Sequence, residues 1–78
     1  MSALTLLNIH RWLLREVQEV QVSWHPGGGY EISGEQAAAD EQAALRELAD
    51  AGLVRREPGR THGWELVVLT GAGEQVTR

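Results

Sequence analysis

The chain contains no cysteine, no lysine and no phenylalanine. Without cysteine there is no disulfide, thiolate metal site or thiol nucleophile. No stretch approaches the ~18 consecutive apolar residues that span a membrane. No basic segment leads into a long apolar run near the start, so no signal peptide is expected and a cytoplasmic protein is. The only histidines are His10, His25 and His62, with no short-spaced pair, so no metal site is expected. Gly27-Gly28-Gly29 lacks the lysine and Ser/Thr of a phosphate-binding loop and the spacing of a dinucleotide fingerprint, so it reads as a turn. No motif frames a nucleophile, and 78 residues leave little room for a catalytic pocket. The reading is a single domain over residues 1–78, not an enzyme, with no cofactor.

A chain this short buries only about 60% of its unfolded surface, so burial against a partner or a second copy would supplement its core. Eleven acidic residues face seven basic ones, for a net charge of −4. That balance opposes generic nucleic-acid binding, which draws on phosphate neutralisation. All seven basic residues are arginine, the composition of a GC-rich genome and also the better bidentate ligand for phosphate and guanine.

From about Ala3 to about Glu19, Leu6, Ile9, Leu13, Val17 and Val20 recur at three- and four-residue steps, predicting a helix with Ser2 as N-cap. Asn8, Arg11, Arg15, Gln18 and Glu19 fall on its polar side. Leu7 and Leu14 widen the apolar stripe, and an edge formed by Leu4, Leu7 and Leu14 is expected to pack against a second copy in a homodimer. From Val20 two readings are open. The helix continues to about Val22 and a loop leads to one short strand at Tyr30–Ile32, or Val20–Trp24 pairs with Tyr30–Ile32 as a hairpin. Continuation of the helical stripe favours the first.

Ser33, with Gln36 three residues on, reads as a capping box opening a helix from about Gly34 to Ala51. Ala37, Ala38, Ala44, Leu45, Leu48 and Ala51 can face its core, and a break near Ala39-Asp40 would let Asp40 cap a second helix. Gly52 is placed to stop it. Leu53–Glu57 and Trp64–Leu69 form a closing hairpin with its tip at residues 58–63. Apolar residues on both sides of Trp64–Leu69 predict a central strand, with Tyr30–Ile32 on its far side. Thr70-Gly71-Ala72-Gly73-Glu74 starts a short terminal turn of helix. Trp12, Trp24 and Trp64 read as large core fillers, or, for Trp24 beside the glycines, as an exposed binding anchor.

The run Leu45, Leu48, Ala51-Gly52-Leu53-Val54, Arg55-Arg56, Gly59-Arg60 and Leu69-Thr70 followed by Gly73 resembles winged helix-turn-helix domains of the PadR and MarR type and small phage-borne winged-helix proteins, over residues 30–75. The resemblance implies an α+β winged-helix domain: a long helix, a short strand, one or two helices and a C-terminal hairpin wing. It implies a DNA-binding transcriptional regulator of bacterial or phage origin, acting as a dimer, with contacts from Arg55, Arg56, Arg60 and His62 on the wing and from Arg46 and Gln42 on the preceding helix. The chain departs from the pattern twice. Residues 33–51 are short for two helices and a turn. The would-be recognition helix is acidic, with Glu35, Asp40, Glu41, Glu47 and Asp50 against Arg46 alone. The alternative is a winged-helix module that binds protein through that acidic face.

Overall fold

The computed structural model describes residues 5–59 and 63–77. Helix α1 (Asn8–Glu19) leads into a hairpin of β1 (Val22–His25) and β2 (Gly29–Ile32). A two-residue β3 (Glu35–Gln36) follows, then helix α2 (Ala39–Asp50), strands β4 (Val54–Pro58) and β5 (Glu65–Leu69), and a short α3 (Gly71–Val76). The five strands form one antiparallel sheet in the order β3-β2-β1-β5-β4. This is a small α+β fold, and no helix among the described residues is long and apolar enough to cross a membrane.

The first helix starts later than its apolar periodicity suggests. Thr5 to Leu7 are not helical, and Ser2 and Leu4 lie outside the described residues. Leu7 caps α1 through its backbone: its N–H donates to Nδ1 of His10, three residues on (3.0 Å). The helix ends at Glu19, and Val20 is already extended. The hairpin is therefore the correct reading of residues 22–32, and the helix extension is not. Val22↔Ile32, Ser23↔Glu31 and Trp24↔Tyr30 pair across it. Strand alternation outcompetes the helical stripe because burying Val22 needs a sheet face.

Ser33 does not cap a helix. It takes φ +52° and Gly34 φ +83°, the two positive φ values that a type I′ two-residue turn requires. Ile32 and Glu35 face each other across that turn. The helix begins only at Ala39, so Ala38 is its N-cap, and the Ala38 N–H donates to the Glu41 carboxylate (2.7 Å). Asp40 sits inside the first turn, favoured there by the helix dipole. Among the described residues no helix precedes α2 on this segment, so a complete helix-turn-helix does not form. The C-terminal end follows the sequence signal. Gly52 (φ +77°) donates to Ala49 and Leu53 donates to Leu48, the paired bonds of a Schellman motif.

Strand β5 is interior, with a neighbour on each side, but the central strand of the five is β1; the far neighbour of β5 is β1 and not Tyr30–Ile32, which lies one strand further out. One face of the sheet presents Val22, Tyr30, Val54 and Val67 to the helices. These four form the core with Leu13, Leu14, Ala37, Ala44, Leu45 and Leu48, and Val17, Leu53 and Leu69 pack at its rim. Leu14 is thus core and is removed from the expected dimer edge, while Ala38 and Ala51 are exposed rather than core-facing.

Thr70 joins the elements at one end. Its hydroxyl donates to the Gly52 carbonyl (2.6 Å) and accepts from the Gly73 N–H (3.1 Å), so one side chain caps α3 and ties it to the stop of α2. Gly73 is buried, and a Cβ there would fall 2.0 Å from the Leu53 carbonyl oxygen.

Two stability predictions follow from this packing. Leu48 is fully buried, so Leu48→Ala should lower unfolding free energy by about 2–5 kcal/mol in urea titration. Gly73→Ala should cost about 1–3 kcal/mol in the same assay, because the added methyl meets backbone that cannot rotate away.

Candidate functional site

Among the described residues a depression lies on either side of the sheet, and neither of these is a closed cavity. The first lies between α2 and the turn end of the sheet. It encloses about 280 Å³, lined by Trp24, Gln42, Arg46, Asp50 and Arg56 among others. Strand alternation brings Arg56 here, since it faces Val67 across the β4–β5 ladder and so shares the helix-covered side. Its guanidinium carbon stands 4.1 Å from the centroid of the Trp24 ring, a cation–π contact, and its Nε lies 3.4 Å from Glu65. Arg46 reaches the same notch from α2.

Arg55 points the opposite way. It faces Val68 and forms an ion pair with Glu57 on the open side of the sheet. Only one of the adjacent arginines can therefore act with Arg46. Arg60 and His62 lie outside the described residues. Gln42 is occupied inside the fold. Its Oε1 accepts from the Tyr30 N–H (2.8 Å), and its Nε2 donates to the carbonyls of Tyr30 (2.8 Å) and Ala37 (3.3 Å). The amide completes the edge of β2 beyond the point where β3 ends. Gly29 makes room for it, since a Cβ there would sit 2.6 Å from Oε1. Of the six residues expected to contact nucleic acid, Arg46 and Arg56 line the same notch, Arg56 against Trp24 and Glu65, Gln42 lines the notch with its polar atoms used, and Arg55 is on the other face.

The second depression is on the open face and encloses about 440 Å³, with Ser23, His25, Glu31 and Trp64 in its lining. The His25 imidazole stacks on Trp64, with centroids 6.0 Å apart and an 11° interplanar angle. Ser23 Oγ lies 3.0 Å and Glu31 Oε1 3.6 Å from His25, both at Nε2. A nucleophilic relay needs serine on one ring nitrogen and the carboxylate on the other. Here both converge on one nitrogen, and Ser23 is buried, so this grouping is not arranged as a relay. Among the described residues no group of three or more His, Asp or Glu is placed to hold a metal ion.

Sequence reasoning did not identify the link between His10 and Glu47. Because Nδ1 of His10 accepts from Leu7, Nε2 carries the proton and donates to Glu47 (2.9 Å). This ties α1 to α2 and leaves the Glu47 side chain 56% exposed on the solvent side of α2. A lone histidine on an apolar helix face was the available signal, but its partner is 37 residues away. Trp24 is half-buried and holds Arg56 against its ring; it is not a free anchor.

Comparison with protein-family models, with curated proteins and with solved structures found no match for this chain.

The role assigned to Gln42 is testable. Gln42→Met keeps the volume and removes the hydrogen bonds, so the Tyr30 N–H loses its partner at a cost of about 1–3 kcal/mol. The unfolding midpoint should fall, and the Tyr30 amide should lose its protection from hydrogen exchange.

Proposed function

We propose that the chain is a variant winged-helix domain that works as a protein-interaction module, presenting the exposed face of α2 to a basic protein surface. The winged-helix reading draws on the run of helix, glycine stop, strand, turn and strand from α2 to β5, with β1 on the free side of β5. The hairpin takes the place of the helix that would precede α2. The observation that carries the interaction reading is the distribution of charge. The solvent face of α2 holds Asp40, Glu47 and Asp50 against Arg46, with the short side chains of Ala39 and Ala43 between them. Both described arginines of the hairpin have carboxylates beside them, Glu57 for Arg55 and Glu65 for Arg56, and they lie on opposite faces. A duplex approaching α2 would meet negative charge where phosphate needs positive.

A second reading, a DNA-binding transcriptional regulator, is favoured by one observation. Arg46 from the helix and Arg56 from the hairpin line a single notch floored by Trp24, and paired guanidinium groups suit a phosphate.

One pair of titrations separates the readings. A fluorescent arginine-rich helical peptide and a fluorescent duplex are each titrated with the protein at low salt. The peptide should bind, binding should weaken with salt, and Asp40→Asn with Asp50→Asn should abolish it, while Glu74→Gln on α3 leaves it unchanged. The duplex should not bind. Duplex binding whose log–log salt slope drops by about 1 in Arg56→Ala would establish the DNA reading instead.

A further inference from the structure

The solvent faces of the two long helices differ in kind. On α1 the exposed residues of the first two turns are Asn8, Arg11, Trp12 and Arg15, so the basic character lies at this N-terminal part, while the last turn exposes Gln18 and Glu19. Trp12 is 42% exposed and Leu7, just ahead of the helix, is 58% exposed. On α2 the exposed face is alanine bordered by three carboxylates, Asp40, Glu47 and Asp50, with one arginine, Arg46, among them. Both helices cover the same face of the sheet and are fixed to each other by His10 and Glu47. One molecule therefore carries a basic, tryptophan-bearing ridge beside an acidic, shallow-floored one.

From this complementarity we propose that the occupant of the α2 face is a second copy of this chain. In a two-fold dimer the α1 ridge of each protomer seats on α2 of its partner. Such an arrangement is closed, since two-fold symmetry makes each surface serve twice. Trp12 is the anchor, lying over the alanine floor of Ala39 and Ala43. Arg11 and Arg15 flank it, opposite Asp40 and Asp50. Tryptophan and arginine are the side chains that most often dominate interfaces, and buried tryptophan area supplies what a small core lacks. The dimer expected from the apolar arc of α1 is thus relocated, from the edge that included Leu14 to the polar side around Trp12. In this dimer α2 is covered, so it cannot enter a nucleic-acid groove, and the arginine-rich peptide binds it by displacing the partner protomer. The inference rests on the reading of α2 as a protein-binding face and names its partner.

The test uses the whole chain in sedimentation velocity. The wild type should sediment at twice the chain mass of 8.6 kDa. Arg11→Glu with Arg15→Glu opposes acid to acid at both contacts, and Asp40→Arg with Asp50→Arg opposes base to base, so each variant alone should be monomeric. Mixed in equal amounts the two should form a heterodimer, because both contacts are then complementary. Trp12→Ala, at a position 42% exposed and outside the buried core cluster, should weaken the dimer by at least about tenfold. Circular dichroism confirms folding of each variant. A wild type that is monomeric at high micromolar concentration, or a mixture that fails to pair, overturns the dimer. If the arginine-rich peptide still requires Asp40 and Asp50 in that case, the module reading of α2 survives without it. If the peptide also fails, both fall.

Discussion

The carboxamide of Gln42, folded back onto Tyr30, is the contact on which the arrangement depends. Strand β3 is only two residues long and pairs with Glu31 and Ile32; beyond it the Ala37 N–H still donates to the Tyr30 carbonyl (3.0 Å), but the Tyr30 N–H is left without a backbone partner. An unpaired strand edge is costly when covered by a helix and adhesive when exposed. Gln42 meets both demands with one group that donates and accepts like a peptide. It also fixes the height and rotation of α2 above the sheet. That rotation decides which α2 residues reach water, and with them the charge the domain shows to anything that approaches.

The C-terminal half is legible in the sequence because its signals are local. Gly52 must adopt a left-handed conformation to end α2, and Thr70 three residues before Gly73 is a cap whose geometry is set within one turn. Alternation alone separates Arg55 from Arg56. The segment from Val20 to Ala38 is harder to read because two local rules compete there. Ser33 and Gln36 satisfy a capping box, yet Ser33-Gly34 satisfies a tight hairpin turn equally well, and the choice is made by Tyr30 and Ile32 finding β1. Alanine-rich sequence adds helical propensity at Ala37, which pairing of its N–H with the Tyr30 carbonyl overrides.

The candidate site was legible as a set of residues but not as a place. Sequence marks the arginines, and pairing assigns them to faces. Only the three-dimensional sheet brings Glu65 and Trp24 beside Arg56, whereas alternation along β4 already places Glu57 beside Arg55. Gln42 shows the same limit: an amide on a helix looks available until the fold uses it. His10 does so in reverse, for a histidine whose partner lies 37 residues away joins α1 to α2 and orients one of the carboxylates of the outer face.

The position of β5 has a kinetic consequence. Its partner β1 lies more than half the chain away in sequence, with Ser23 opposite Leu66. The β1–β2 hairpin and the β4–β5 hairpin can each form from neighbouring residues, but the sheet joins only when these two ribbons meet. Closing that long loop costs entropy before any core contact repays it. During synthesis β1 keeps an open edge until Leu69 has emerged. Folding should therefore be governed by a single late encounter between two preformed hairpins, with the helices locking over the seam.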